Sequence, residues 1–407
     1  MKYFAALASL LLLPLTVCAQ SDAPKTISLG FYGESVFECA ETLAEELGAK
    51  LQLHEVDEDS LDMPCWLVRE DVTPQSAAEL FSIAAGYQVS LDDTGHTLHI
   101  YQPGVAPGGA RVKGYDVSVL SGRFVEYVNS FGAPAVPPKP NEQIEPERTA
   151  AEHLADALDE ILYEPRGADS DPSVVGDRLL FTLSERDHAR VREVLDLLVA
   201  EGGGESSALK AERAVIEKLK AAKFSAEIET TPVASVLTAI CKAAGLGIVL
   251  GPDLAEVAVE QHIDFPHKKA ISALEALHLL AAVLADDDLP IDLSVREGTV
   301  VADLAGRSST NGYRVYDIGE LLKKLDASFQ RQRTASGKDE GFSGDMRRAG
   351  GNRVVLDPLE ELLDEIHQGE HAVCICFGTR LVVRGGCEAV DAATEILNEM
   401  GWEESGN

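Results

Sequence analysis

Apolar residues recur at helical spacing in two stretches of the chain that match each other without a gap. The first runs from 27 to 53 and the second from 224 to 250, so they lie 197 positions apart. Each stretch predicts a strand, a helix and a second strand. The apolar helix positions are Val36, Cys39, Ala40, Leu43, Ala44 and Leu47 in the first copy, and Val233, Val236, Leu237, Ile240, Cys241 and Ala244 in the second. The chain therefore contains an internal repeat, and this repeat is the strongest guide to its architecture.

Residues typical of helix ends flank both predicted helices. Ser35 and Glu38 have the spacing of a capping box at the start of the first helix. Thr231-Pro232 predicts a cap followed by proline in the first turn of the matching helix. Gly48 and Gly245 follow the two helices and predict a left-handed helix stop in each copy.

The repeat continues beyond these helices. An apolar strand follows in each copy, with Cys65 and Leu67 on one face in the first and Ile263 and Phe265 in the second. A second helix and a two-stranded hairpin come next, the first of these helices starting at Thr73-Pro74. The predicted order in both copies is therefore β, α, β, β, α, β, β.

This order and spacing resemble the short N-terminal domain of secretins and TonB-dependent receptors, over residues 27–101 and 224–303. A second type of unit follows each copy and opens with GYDV at Gly114 and GYRV at Gly312, 198 positions apart. Each has a short helix, a long polar insertion, a second helix, and a strand that runs into an amphipathic helix. This second unit is similar to the small periplasmic modules that build secretin rings. The resemblance implies an envelope protein made of interaction modules.

The predicted fold class is α+β, with small βα sandwich modules in tandem and duplicated. The glycine-rich stretch at 201–207 predicts a flexible joint between the two halves. The predicted divisions are a signal peptide at 1–19, short N-terminal-type modules at 24–103 and 223–304, secretin N-type modules at 112–201 and 311–402, and a linker with a lead-in helix at 202–222.

The first residues have the pattern of an export signal. Lys2 precedes an apolar run that begins at Phe4, and small residues favour cleavage after Ala19. The alternative is a lipoprotein signal in which Cys18 becomes lipidated and anchors the protein at the outer membrane. Either pattern predicts a periplasmic, secreted or envelope-attached protein that has no membrane-spanning segment in its mature form.

The charge of the chain narrows the classes of partner. It has 35 basic and 68 acidic residues and a net charge of −33, with the acidic residues spread along the sequence. Such a surface repels phosphate backbones and anionic lipids, so we expect no nucleic-acid partner. The expected partner is a protein of the envelope whose identity the sequence does not indicate.

The sequence contains few candidates for catalytic or metal-binding residues. His367, His371, Cys374, Cys376 and Cys387 are residue types that bind zinc, but two cysteines of one apolar strand are more simply explained by packing. The cluster from Ser184 to His188 places a serine, an acid and a histidine next to each other, which does not make them converge on a substrate. We therefore expect no catalytic residue, no metal site and no cofactor.

One cysteine pair is a candidate for a disulfide. Cys39 lies on the predicted buried helix face and Cys65 on the following strand, and export permits disulfides. His96 and His99 lie an odd number of positions apart in one strand, so they cannot chelate a metal together.

The leading hypothesis is a non-catalytic envelope protein that binds another protein, as a soluble companion of a secretin or TonB-type system. The alternatives are a protein that binds cell-wall glycan or a small ligand and, less favoured, a metal-dependent enzyme. Aromatic residues make up 6% of the chain, which weakens the glycan alternative. A deep pocket in which charged side chains of both halves meet would count against a purely scaffolding role.

Overall fold

The computed structural model describes residues 26–56, 61–92, 94–102, 111–131, 148–162, 172–183, 185–286, 289–305, 312–324 and 373–403. Its fold class is α+β, as the sequence predicts, and it contains several small mixed sheets. We divide it into four units: the first (27–101), second (111–199), third (223–304) and fourth (312–402). None of the helices in the described ranges is long and apolar enough to cross a membrane.

The first unit has the element order that the sequence predicts. Its elements are β1 (Ile27–Ser35), α1 (Val36–Leu47), β2 (Lys50–His54), β3 (Pro64–Val72), α2 (Pro74–Ala85), β4 (Gln88–Leu91) and β5 (Thr97–Tyr101). Ser35 and Glu38 form the predicted capping box, and Gly48 ends α1 in the left-handed conformation with φ of 69°. Thr73 caps α2 from the position before Pro74.

The second unit follows with a different order. Its elements are β6 (Arg111–Asp116), α3 (Ser118–Phe131), α4 (Ala150–Ile161), β7 (Ser173–Val175), β8 (Arg178–Leu183) and α5 (Glu185–Val199). The segment before the third unit holds β9 (Gly203–Glu205) and α6 (Ser207–Ala221).

The third unit repeats the first with one additional helix. Its elements are β10 (Lys223–Pro232), α7 (Val233–Ala243), β11 (Ile248–Leu250), α8 (Pro252–Glu260), β12 (His262–Ser272), α9 (Ala273–Asp286), β13 (Ile291–Arg296) and β14 (Thr299–Leu304). The sequence prediction missed α8, because its nine residues replace what we expected to be a connection between strands. The predicted cap at Thr231 was also wrong: α7 begins after Pro232, and the Thr231 hydroxyl bonds to the Glu229 carbonyl instead.

Strand pairing is alike in the first and third units. In the first unit, β1 pairs antiparallel with β3, β2 pairs parallel with β5, and β4 pairs antiparallel with β5. In the third unit, β10 with β12, β11 with β14, and β13 with β14 pair in the same three ways. The ladders also share an irregularity, between Tyr32 and Glu34 in β1 and between Ile228 and Thr231 in β10.

The first and third units share one five-stranded sheet in the order β1-β3-β11-β14-β13. The joint is an antiparallel pairing of Leu67 and Val68 with β11. Side chains cross this sheet in both directions: Trp66 packs into the core of the third unit, whereas Val249 and Val301 pack into the core of the first. The sheet therefore lies between the hydrophobic cores of the first and third units and contributes side chains to both.

The fourth unit contains β15 (Tyr313–Asp317), β16 (Val373–Phe377), β17 (Arg380–Arg384) and α10 (Cys387–Glu399). Its sheet has the order β16-β17-β15-β9. One face, with Tyr316 and Leu381, packs against α10, and the opposite face joins the core of the second unit. On that opposite face, the Phe124 ring of α3 stacks on Phe377 with ring centroids 4.9 Å apart.

Two sequence predictions, one for the second and fourth units and one for the segment between the two halves, were wrong. The structure does not place Gly114 and Gly312 at equivalent positions. Asp116 pairs with Arg178, and Asp317 pairs with Arg380, so these two aspartates are equivalent although they lie 201 positions apart. The predicted flexible joint is an ordered strand, since β9 pairs with β15. A Cβ atom on Gly203 would lie 2.0 Å from the Val315 carbonyl oxygen, so glycine allows close approach here.

Candidate functional site

The candidate zinc ligands are separated by packing. Cys374 and Cys376 lie on one face of β16 and pack, with the buried Cys387, around the core beneath α10. Burial raises the pKa of Cys387 to about 12, which keeps the thiol protonated. His367 and His371 lie outside the described residues. Within the described ranges, no group of three or more histidine, cysteine, aspartate or glutamate side chains is placed to hold a metal ion.

The candidate disulfide pair is brought together as free thiols. Cys39 and Cys65 are both buried, one on α1 and the other on β3. A hydrogen bond with Cys39, followed by burial, raises the pKa of the Cys65 thiol. The prediction of a bridge between these two residues remains a prediction.

His188, from the Ser184–His188 cluster, is a structural residue. It is fully buried, and its Nε2 atom lies 2.7 Å from the Arg111 carbonyl oxygen. Because a carbonyl only accepts, Nε2 carries a proton, and the Tyr115 hydroxyl lies 2.8 Å from Nδ1 and donates to the His188 carbonyl oxygen at 3.1 Å. These bonds attach α5 to β6. Ser184 lies outside the described residues.

A histidine pair that sequence reasoning missed lies on the outer face of the β2-β5-β4 sheet. Nε2 of His54 is 2.9 Å from Nδ1 of His99, and the Tyr101 ring stacks on His54 at 4.4 Å. Burial, and then the neighbouring His54, lowers the pKa of His99. The parallel pairing of β2 with β5 brings these histidines together, and no local sequence pattern indicates that pairing.

A cleft of about 790 Å³ lies where the two halves of the chain meet. Its walls come from α5, the start of α6, the β13-β14 turn and the ends of β15 and β17. Among its charged residues are Arg190, Arg192, Glu193 and Asp196 from the first half and Lys210, Arg296, Glu297 and Arg384 from the second. This is the feature that the sequence analysis set against a purely scaffolding role.

Polar groups in the cleft hydrogen-bond to one another. Glu193 accepts from the Ser207 backbone N–H at 2.6 Å and from the Tyr313 hydroxyl at 3.2 Å. Burial, and then the Glu193 charge, raises the pKa of Tyr313, so this phenol stays protonated. The described lining residues include neither histidine nor cysteine. The cleft therefore offers charged and hydrogen-bonding groups but none of the usual nucleophile and base pairs.

The outer face of the β6-β8-β7 sheet carries the apolar side chains of Val112, Leu180 and Val175 among the exposed polar side chains of Asp116, Arg178, Ser173 and Thr182. Val112 is 67% exposed and Val175 is 61% exposed, and Leu180 lies half-buried between them. Strand pairing makes these three residues equivalent to Tyr313, Phe377 and Val382 of the fourth unit, all of which are buried. Among the residues that the structure describes, the equivalent face is thus covered in the fourth unit and exposed in the second.

No family model matches this chain, and searches of curated proteins and of solved structures found no match either.

Proposed function

We propose that this chain is a non-catalytic, exported protein of the cell envelope, built from two modules of the secretin and TonB short N-terminal type and two looser secretin N-type modules. It acts by binding another protein, as a soluble companion of a secretin or TonB-type system in the periplasm. The observation that carries this proposal is that Val112 and Val175 of the second unit are exposed, whereas their equivalents in the fourth unit, Tyr313 and Phe377, are buried in a core shared with the second unit.

The packing of the halves supports a protein as the occupant. The first half covers the outer sheet faces of the second half, since Val249 and Val301 are buried in the first unit and Phe377 in the second. Within the described ranges, the corresponding faces of the first half are not covered in this way. A face that packs against protein in one copy of a repeat is suited to pack against protein in the other.

Single residues prevent a second copy of the chain from extending the internal joint. Lys50 stands where the third unit has Gly247, and a Cβ atom on Gly247 would lie 2.4 Å from the Val68 carbonyl oxygen. Pro266 stands where the first unit has Val68, and proline has no backbone N–H to donate. The strand β2 of one copy therefore cannot pair with β12 of another copy as β11 pairs with β3 within the chain. This favours a partner of different sequence.

Replacing Val112 and Val175 by lysine tests the proposal. We expect the double variant to lose capture of its envelope partner, because two charges would enter an apolar contact. Its free energy of unfolding should change by only about 0.5 kcal/mol, as is usual for exposed positions. Affinity purification from the envelope and urea denaturation measure the two effects.

The matched control is Val257→Lys, at an exposed position on α8. Capture should survive in this variant. Undiminished capture by the Val112 and Val175 double variant would contradict the proposal.

A second candidate function is the binding of a small charged ligand, and the cleft between the halves favours it. Its volume of about 790 Å³ lies within the usual range for ligand sites. A zwitterionic cell-wall stem peptide would match the mixture of arginine, lysine and glutamate side chains.

Thermal shift assays with such peptides test this second candidate. A stabilising peptide should lose its effect in Lys210→Glu, within the cleft, and keep it in Lys242→Glu on α7, outside the cleft. Absence of any shift with the unchanged chain would remove this candidate.

A further inference from the structure

The His54–His99 pair on the outer face of the β2-β5-β4 sheet is not required by the repeated fold. Strand pairing makes these residues equivalent to Gly251 and Val301 of the third unit, which forms the same three pairings without either histidine. Val301 is buried in the core of the first unit, whereas both histidines are half-buried and reached by solvent. The histidines are therefore a property of the first unit alone, and packing of the repeated fold does not explain them.

The two imidazole rings have the spacing of two ligands on one tetrahedral metal ion. Nε2 of His54 is 2.9 Å from Nδ1 of His99, and the ring centroids are 5.1 Å apart. Zinc–nitrogen bonds of about 2.0–2.1 Å at the tetrahedral angle place two such nitrogens about 3.3 Å apart and their ring centroids roughly 5.2 Å apart. A small rotation of each ring about its own centroid therefore lets both nitrogens point at one ion, which replaces the proton that they share.

The surroundings hold the two rings in position. His54 lies on β2 and His99 on β5, and these strands are paired in parallel, so their backbones fix the distance between the two side chains. The Tyr101 ring is buried and is stacked on His54, with centroids 4.4 Å apart and planes 9° apart. This stacking limits the orientations of the His54 ring.

The charge near the pair favours a cation. Asp92 ends the adjoining hairpin strand, its Oδ1 atom accepts the His96 backbone N–H at 2.8 Å, and its negative charge acts on His99. The net charge of −33 also raises the concentration of cations around the chain.

We infer that Nε2 of His54 and Nδ1 of His99 bind one divalent transition-metal ion, zinc, on the outer face of the β2-β5-β4 sheet. The described part of the chain supplies no third histidine, cysteine, aspartate or glutamate ligand here, so water fills the other coordination positions. The ion is therefore held less tightly than in a structural site with four protein ligands. The inference goes beyond the proposed function and does not depend on it, and it departs from the sequence expectation of no metal site.

Calorimetric titration of the purified, metal-free, full-length chain with zinc chloride tests the inference. We expect one zinc ion to bind, and His54→Gln and His99→Gln each to weaken its binding at least tenfold, because a single imidazole remains. The matched control is His96→Gln: this histidine is exposed on the neighbouring turn, and its Nδ1 atom lies 2.6 Å from the Thr94 carbonyl oxygen. Zinc binding should be unchanged in the control, and thermal melts without metal check that all three variants fold.

A second measurement uses the unchanged chain and does not depend on the folding of a variant. Zinc should shift the NMR signals of the ring nitrogens of His54 and His99 and leave those of His96 in place. Absence of zinc binding, or an equal loss in His96→Gln, would overturn the inference. Binding that survives both His54→Gln and His99→Gln would place the ion elsewhere in the chain and would overturn it as well.

Discussion

Single residues determine which copy of the repeat can form the internal joint. The third unit has Gly247 beside β3, where the first unit has Lys50 in the equivalent position. Likewise, Val249 and Val301, which are buried in the joint, correspond to Gln52 and His99 in the first unit. The repeat is thus conserved in its pairing but differs at the residues that make contact.

Replacing Gly247 by alanine tests the importance of this close approach. The added Cβ atom would meet the Val68 backbone oxygen at 2.4 Å, and backbone does not move aside as a flexible side chain does. We expect the free energy of unfolding to fall by about 1–3 kcal/mol. The control is Gly122→Ala in α3, where nothing lies within 4 Å and alanine should stabilise by about 1 kcal/mol. Equal effects in the two variants would refute the importance of the joint.

The His54–His99 pair predicts a pH dependence. Burial and His54 lower the pKa of His99 from 6.5, while Asp92 raises it to a smaller extent. A histidine whose pKa is lower in the folded than in the unfolded state binds its proton more readily when unfolded, so stability falls as the pH drops below about 6.5.

Urea denaturation between pH 7.5 and pH 5 measures this effect. We expect His99→Gln to lose stability less steeply than the unchanged chain over this range. Parallel curves for the two proteins would show that the pair does not contribute.

At the scale of elements, helices and local strand order were predictable from the sequence, because spacing and end signals are local. The capping box at Ser35 and the left-handed Gly48 are examples. The elements that the sequence did not reveal depend on tertiary contact. The glycine run before Ser206 indicated flexibility, although Gly203 serves close approach to Val315.

The register of the second and fourth units shows the same limit. GYDV and GYRV match as letters, whereas strand pairing aligns Asp116 with Asp317, and each of these aspartates accepts the backbone N–H of the residue two positions later. The Oδ1 atom of each aspartate lies 3.0 Å and 3.1 Å, respectively, from the donor nitrogen. Pairing across the sheet, rather than similarity of four letters, fixed the register.

At the scale of the whole molecule, the two halves pack directly against each other and are not connected only by a flexible linker. The β3-β11 joint unites the first and third units, α4 packs against β16 of the fourth unit, and Phe124 of α3 stacks on Phe377. The sequence predicted none of these contacts, because each joins strands or faces roughly 180 or more positions apart. The exposed face around Val112 and Val175 is recognised only by comparison with the covered face of the fourth unit. It therefore could not be predicted from the sequence.

The high acidity of the chain also acts at this scale. A net charge of −33 keeps copies of the chain apart and disfavours non-specific association. Exposure of Val112 and Val175 on such a molecule is consistent with a specific partner rather than self-association.

Carbene footprinting of the exposed side chains, on the purified chain and in the intact envelope, tests the central claim most directly. The account predicts that Val112 and Val175 are labelled in the purified chain and protected in the envelope. Tyr313 and Phe377, their counterparts, should remain unlabelled in both. Equal labelling of Val112 and Val175 in the two settings would contradict the claim that this face binds a partner.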